Sequence, residues 1–343
     1  MHAEERHQAI LRRLRERGSL RVTDFAHEVR VSPVTIRRDV EQLAERGLLA
    51  RVHGGAVLSG ADAAAAPHEE LVFGLLVPAA DHYYPEVIKG AREAAAERGV
   101  RLVLGISQYS REQERTQLRR MLADGVDGLL ITPCGSLDET ELPVPYVLVE
   151  RRPADDLSRA EHVATDHAYG AGLAVRHLAG PAGRRRVGLV VRDDGPHAAA
   201  VRDGYHRGLA AAGLTAPDGG VLHLAPPADE DAGREGQLAA FTEAVTGGAL
   251  DGVLVHNDHD ALVLLQRLRA HGVDVPGDLA VVAYDDEVAA LADIPLTAVA
   301  PPKHAMGAAA VGLLTRRVSD PAAPRHRLTL LPELHVRAST GVD

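Results

Sequence analysis

The chain has 343 residues and one cysteine, Cys134. A lone thiol closes no internal disulfide and holds no metal by itself, so disulfide scaffolds and cysteine-built metal domains are excluded. No uninterrupted apolar run approaches the ~20 residues that cross a bilayer. The charged N-terminus has no apolar stretch of the kind that directs export. A soluble, cytoplasmic protein without a membrane partner is expected. Enzyme signatures are also missing. Gly170-Ala-Gly172 does not follow directly from a strand and lacks the third glycine of a dinucleotide fingerprint. Neither a serine nucleophile elbow nor a phosphate loop with Lys and Ser/Thr is visible. No catalytic residue and no cofactor are expected.

What is present is unevenly distributed. Residues 1–60 carry 11 arginines and no lysine against 8 acidic residues, a surplus of three, while the whole chain stands at −10. The remainder is therefore at −13. A basic head on an acidic body suits a protein whose head alone meets nucleic acid. The length also implies more than one domain.

The head is organised around residues 32–40, Ser-Pro-Val-Thr-Ile-Arg-Arg-Asp-Val. Ser32 is a suitable N-cap, and Pro33 fits a first helical position that needs no amide donor. Ile36, Val40 and Leu43 recur at helical spacing and form one apolar stripe. Val34, Arg38 and Gln42 point away from it, with Thr35 and Arg37 on the flanks. Gly47 is placed to stop the helix. Upstream, residues 6–17 read as a basic helix and 23–29 as a second short one. A brief turn at 30–31 completes a helix-turn-helix, whose last helix would enter the major groove. Residues 48–52 and 56–58 read as a β wing, with Arg51 and His53 beside the phosphates. The segment resembles the N-terminal domain of the DeoR family of bacterial regulators. The resemblance rests on Val31-Ser32, Thr35-Ile36-Arg37-Arg38-Asp39, Gly47-Leu48-Leu49 and Arg51-Val52-His53-Gly54-Gly55-Ala56. It implies a winged head, residues 1–58, that binds double-stranded operator DNA through Ser32, Pro33, Val34, Thr35, Arg37, Arg38, Gln42, Arg51 and His53.

Residues 59–70 show no apolar periodicity and read as a linker. From residue 71 strand and helix patterns alternate. The first run, 71–77, is continuously apolar, as a parallel strand buried on both faces requires. Helices are expected at 86–98, 111–123, 167–179, 197–212, 234–246, 260–270 and 303–317, and an extended tail at 327–337. The fold class is therefore α/β, a winged helix-turn-helix followed by parallel sheets in two lobes. The loops identify the body further. Asp124-Gly-Val-Asp127-Gly128, Pro145-Tyr-Val-Leu-Val-Glu150-Arg151, Val163-Ala-Thr-Asp166, Arg202-Asp-Gly204-Tyr205, Asn257-Asp258, Tyr284-Asp285-Asp286, Pro295-Leu296-Thr297 and Leu331-Pro332-Glu333 occur in order. The body, 71–343, is similar to the effector domain of the LacI family, itself like periplasmic sugar-binding proteins. The resemblance implies lobe 1 at about 71–164 and 291–320 and lobe 2 at about 165–290 and 321–343, with crossovers near Thr165, Ala290 and Asp320. It also implies a homodimer held by the body.

Carried over position by position, the resemblance implies an effector site of Asp81, Tyr83, Tyr84, Glu150, Arg151, Arg202, Asn257 and Asp285. Ligands of open α/β sheets sit at the carboxyl ends of strands. A polyol needs paired donors and acceptors, which Arg, Asp and Asn supply, and an apolar ring for contact area. Neighbouring residues at a helix start do not both face one cleft, so one of Tyr83 and Tyr84 is expected in the lobe core. Glu150 stands where a shorter Asp is common in the family, and Pro301 where a glutamine often contacts the sugar. The near balance of Glu150 and Asp285 against Arg151 and Arg202 favours a neutral polyol over a phosphorylated sugar, with a nucleoside or a sugar phosphate as the alternative effector. His82, His197, His259 and His304 also fall near the expected cleft. His256-Asn-Asp-His259-Asp260 is of ligand type, but its Asn-Asp belongs to the family pattern, and no metal is expected there. The sum is a regulator, of the repressor kind, whose operator binding answers to a small carbohydrate. LacI-type chains join head to body by a short minor-groove helix, and this chain has the Ala-rich 59–70 instead.

Overall fold

In the computed structural model, residues 3–17, 19–46, 48–52, 54–58, 71–137, 142–153, 155, 157–192, 195–224 and 232–342 are described. Gly47, His53 and the linker 59–70 lie outside the described residues. Two compact units are formed, Met1–Leu71 and Val72–Asp343.

The first unit runs α1 (Ala3–Arg17), β1 (Ser19–Arg21), α2 (Val22–Glu28), α3 (Pro33–Glu45), β2 (Leu49–Val52) and β3 (Gly55–Leu58). Arg30, at φ 56°, makes the tight turn before α3. Ile10, Leu14, Phe25, Ile36, Val40, Leu43, Leu49 and Ala56 close one core. The wing has a third strand that the pattern did not announce: β1 pairs antiparallel with β3, giving the order β1-β3-β2. Asp39, inside α3, is buried. It accepts from Arg6 Nε at 2.6 Å and Nη2 at 3.1 Å, which ties α3 to α1. That carboxylate is therefore turned inward, and the arginines beside it are left to the outer face.

The second unit holds two six-stranded sheets among the described residues. The first contains β4 (Leu71–Val77), β5 (Val100–Ile106), β6 (Gly128–Ile131), β7 (Tyr146–Val149), β8 (Glu161–Thr165) and β14 (Arg327–Leu330), in the order β14-β8-β7-β6-β4-β5. The second contains β9 (Val187–Arg192), β10 (Val221–Leu224), β11 (Gly252–Val255), β12 (Ala280–Tyr284), β13 (Thr297–Ala300) and β15 (Glu333–His335), in the order β10-β9-β11-β12-β13-β15. Its described strands pair in parallel except β15, which runs antiparallel to β13. Helices α4 (Tyr84–Glu97), α5 (Arg111–Ala123) and α10 (Lys303–Ser319) belong with the first sheet. Helices α6 (His167–Ala179), α7 (Ala198–Ala211), α8 (Ala232–Thr246) and α9 (Asp258–Ala270) belong with the second. Helices α4 and α10 touch through glycine. A Cβ on Gly307 would lie 2.0 Å from Val87 O, and one on Gly90 2.0 Å from His304 O.

The lobe limits differ from those expected. The first crossover is at Asp166, beside Thr165 as anticipated. The second is at Pro301–Pro302, not near Ala290, because β13 extends the second sheet by pairing with β12. The third is at Leu331–Pro332, not near Asp320, because β14 pairs with β8 at the open edge of the first sheet. Thus 297–300 belongs to lobe 2 and 327–330 to lobe 1, the reverse of the sequence assignment. An open strand edge is satisfied by whichever extended segment reaches it, and periodicity does not say which sheet that is.

Candidate functional site

In the head, α3 presents one exposed face. Its N-cap Ser32 accepts from Thr35 N at 3.2 Å, and the two hydroxyls are 2.8 Å apart. This bond fixes the first turn. Pro33, Val34, Arg37, Arg38 and Gln42 are exposed beyond it, and Val34 is 71 % exposed. Arg51 on β2 is exposed and stands 3.5 Å from Glu41 on α3.

In the body, a cavity of about 700 Å³ opens between the two sheets. That falls within the roughly 300–1,000 Å³ of small-molecule sites. Its walls are strand ends, the loops after them and the first turns of α4 and α9. Lobe 1 contributes Pro78, Tyr83, Tyr84, Tyr109, Cys134, Glu150 and Arg151. Lobe 2 contributes Arg192, His197, His256, Asn257, Asp258, Asp260, Asp285 and Glu287. His82 and His259 meet edge to face at the same cavity, one from each lobe, with ring centroids 4.5 Å apart. Four of the lining residues hold a left-handed backbone: His82 (φ 50°), Tyr109 (φ 56°), Glu150 (φ 56°) and Asp285 (φ 82°). Each such residue costs about 1–3 kcal/mol, and strain of this kind persists where the surroundings fix it for a purpose.

Glu150 is 1 % exposed and fully bonded. Its Oε1 lies 2.6 Å from His167 Nε2, and Oε2 accepts from Thr165 N at 3.3 Å and Thr165 Oγ1 at 3.2 Å. Burial pushes its carboxyl up, but the His167 hydrogen bond and charge, with Tyr83 and Arg151, hold it below the usual range. Arg151 spans the lobes. Its Nη1 donates to Glu150 O at 2.8 Å and to His197 Nε2 at 3.0 Å, and its Nη2 reaches Tyr84 OH at 3.4 Å. Burial, with the charges of His167 and Arg151, depresses His197. His256 falls to about 3, first through burial. Asp258 Oδ2 accepts the amides of Glu287, Val288 and Ala289, which pins the Asp285 loop to α9. Asn257 caps α9 through Oδ1 to Asp260 N at 2.9 Å. Lys303, from α10 in lobe 1, pairs with Glu287 and donates to Asp285 O.

Six of the eight expected effector residues meet here: Tyr83, Tyr84, Glu150, Arg151, Asn257 and Asp285. Tyr83 and Tyr84 both border the cavity, their rings 5.5 Å apart and edge to face, with Tyr84 the buried one of the two at 4 % exposure. Asp81 and Arg202 do not line it. Asp81 is exposed, 3.8 Å from His82. Arg202 lies about one turn along α7 from the end that reaches the cavity, and its neighbours Val201 and Tyr205 face the lobe core. Its place is taken by Arg192 and His197. Of the four flagged histidines, His304 sits away from the cavity, 2.7 Å from Glu93. Tyr109, Cys134, Arg192 and Asp258 were not anticipated as lining residues. The available signal was their place at or shortly after the carboxyl ends of apolar strand runs.

Asp285 carries a pH prediction. Burial pushes its carboxyl up to about 7, with Lys303 pulling the other way. The folded pKa lies above the unfolded one, so the stability this group confers is present at low pH and lost as pH rises through about 7. Asp285→Asn should therefore raise the melting temperature more at about pH 8 than at about pH 5.5. An equal rise at both values would place the charged carboxylate in a wetter setting than this one.

Comparison with known proteins agrees with both units. Residues 6–60 match the DeoR-like helix-turn-helix domain, and 175–340 match the periplasmic binding protein-like domain. The ribose operon repressor of Escherichia coli (strain K12) is 28% identical over 275 residues, covering 78% of this chain and 81% of that one. The structure of the transcriptional regulator CelR–cellobiose complex is 27% identical, with a TM-score of 0.67 over 90% of this chain and 91% of the other. A transcriptional regulator of the LacI family from Sanguibacter keddieii is 32% identical with a TM-score of 0.66, covering 79% of this chain and 98% of its own. With that identity over nearly the whole of the other structure, the chain belongs to the LacI family of transcriptional regulators.

Proposed function

We propose that the protein is a repressor that binds operator DNA through a DeoR-type winged head and releases or tightens it when a neutral sugar fills the interlobe cavity. The observation that carries this reading is a cavity walled by strand ends of both sheets and spanned by Arg151 and His197. A ligand there contacts both lobes, so it has different affinity for open and closed forms, and that difference is what shifts an equilibrium. The lining acids Glu150, Asp258, Asp260, Asp285 and Glu287 outnumber Arg151 and Arg192. A phosphate would meet net repulsion, which leaves neutral sugars ahead of sugar phosphates. Two relatives support the same reading: one is named for the ribose operon and one holds cellobiose. A melting screen of pentoses, hexoses, disaccharides, nucleosides and sugar phosphates tests it. Shifts with sugar phosphates alone would overturn it. A DNA partner places the protein in the cytoplasm, and among the described residues no helix is long and apolar enough to cross a membrane.

In the head, Arg38 reads a base edge from α3 while Arg37 and Arg51 hold phosphate, with Ser32, Pro33, Val34, Thr35 and Gln42 completing the face; His53, expected beside them, lies outside the described residues. Arg38→Ala should cost about 1–3 kcal/mol of specific binding if it meets a guanine. Arg51→Ala should weaken all sequences alike and flatten the salt dependence. Full operator affinity in the Arg38 variant at moderate salt would reassign the reading face.

The body forms the homodimer. A groove on the outer side of lobe 2 is lined by Leu262, Leu265, Leu291 and Ile294, with Leu291 82 % exposed. Its rim carries Arg269 paired with Asp293 at 2.9 Å. A rim of both signs complements itself across a twofold axis. Leu291→Arg should turn a dimer into a monomer by light scattering. An unchanged mass would move the interface elsewhere.

A further inference from the structure

We propose that Glu150, His167 and His197 bind a divalent transition ion of the zinc class, in a site completed only when the two lobes close. One ligand atom from each lies within 4.8 Å of the others. Glu150 Oε1 is 2.6 Å from His167 Nε2 and 3.8 Å from His197 Nε2. Glu150 ends a strand of lobe 1, and both histidines open helices of lobe 2.

The hydrogen-bond partners leave Nε2 of each imidazole as the nitrogen nearest the carboxylate, at 2.6 Å for His167 and 3.8 Å for His197. The Tyr284 hydroxyl donates to His167 O at 3.4 Å, and its oxygen stands 3.2 Å from His167 Nδ1. In the tautomer whose Nδ1 donates to that oxygen, Nε2 presents its lone pair to the carboxylate; in the other, Nε2–H donates to Glu150. A metal ion bound there would replace the proton that joins Nε2 and the carboxylate at 2.6 Å. His197 presents an Nε2 lone pair by another route. Its Nε2 faces Arg151 Nη1 at 3.0 Å, and a guanidinium only donates.

Two neutral imidazoles and one carboxylate suit Zn²⁺, Co²⁺ or Ni²⁺ and do not suit Mg²⁺ or Ca²⁺. Around zinc, with bonds of about 2.0–2.1 Å, tetrahedral ligands stand about 3.3 Å apart. The shorter contact must widen and the longer one close, each by less than about 1 Å. The two rings are stacked, with centroids 3.8 Å apart and planes at 23°, so His197 must turn out of the stack. Arg151 then yields its bond to His197. Tyr284 orients His167 from behind, as an outer-shell partner does. The remaining position faces the cavity. The site shares the cleft with the proposed sugar but does not rest on it, since the metal alone is the probe.

The experiment uses full-length protein stripped with chelator and desalted, titrated with Co²⁺ and followed by visible absorption and by bound metal per chain. The chain has 18 histidines, so variants identify the ligands. Wild type should show one site with low-coordinate cobalt absorption. His197→Ala should lower its affinity about 100-fold or more, beyond the roughly 10–100-fold of an outer-shell loss, and Tyr284→Phe about 10-fold. His304→Ala, exposed and off the cavity, should leave it unchanged. Mg²⁺ should not compete. Equal cobalt spectra and affinity in wild type and His197→Ala, or no specific absorption in wild type, would overturn the site. The sugar screen on the same metal-free protein reads the effector proposal separately, so a sugar shift without metal binding sinks only this inference.

Discussion

Replacing Arg151 by alanine is expected to abolish the rise in melting temperature that the effector produces. Ligand at about 1,000 times its Kd should stabilise the wild-type body by about 4 kcal/mol. Arg151 is the side chain that joins Glu150 O and Tyr84 of lobe 1 to His197 of lobe 2. Without it, a ligand oxygen on the cavity floor loses a charged donor, and the lobes lose a direct bond. Charged hydrogen bonds of this kind contribute about 1.5–3 kcal/mol, and an unpaired buried partner costs more. Operator affinity without ligand should stay near wild type, because the head keeps its face. Arg202→Ala is the matched control, since Arg202 does not line the cavity. A ligand shift that survives in Arg151→Ala and vanishes in Arg202→Ala would reverse the assignment.

The largest expected loss of stability is elsewhere, in Arg317→Ala. Glu161, at 0 % exposure, opens β8, and Arg317, at 4 %, lies near the end of α10. They meet at 2.7 Å from Nε to Oε2. The guanidinium also donates to the carbonyls of Pro321 and Ala323 at 2.8 Å each, and Glu161 Oε1 accepts from His326 N at 2.8 Å. Burial raises the Glu161 carboxyl, but these partners hold it below its usual range. Removing Arg317 leaves the buried carboxylate only the longer pair with the partly exposed Arg316, at 3.3 Å, and loss of one side of a buried pair costs about 3–5 kcal/mol. Denaturant unfolding should show that loss. Glu161→Gln with Arg317→Met should recover part of it, because removing both charges removes the desolvation penalty as well. A double variant as unstable as Arg317→Ala would locate the damage in the lost carbonyl bonds instead.

The alternation of strand and helix was legible in the sequence because parallel strands buried on both faces read as continuous apolar runs. The site positions came from the family resemblance, and Glu150, Asn257 and Asp285 fit it by standing just beyond the carboxyl ends of those runs. Three things stayed hidden. The tail strands were assigned to the wrong lobes, because which sheet edge a short strand covers is a matter of reach. Arg202 was misplaced because a motif gives a residue's position along a helix without the end that faces the cavity. The roles of His167 and Asp39 came from pairing across 17 and 33 residues, which no local pattern carries. The left-handed backbone at Glu150 and Asp285 was equally invisible, as nothing in a carboxylate's identity announces it.

The three crossovers are short. One residue, Asp166, separates β8 from α6; Pro301 and Pro302 separate β13 from α10; Leu331 and Pro332 separate β14 from β15. Two extended residues span at most about 7 Å, and proline fixes one torsion of each it replaces. Three such tethers side by side act as a bearing. The lobes can swing about them but cannot slide or draw apart, so the cavity has a single mechanical coordinate. Any molecule that fills it, whatever its chemistry, reports its presence through one angle.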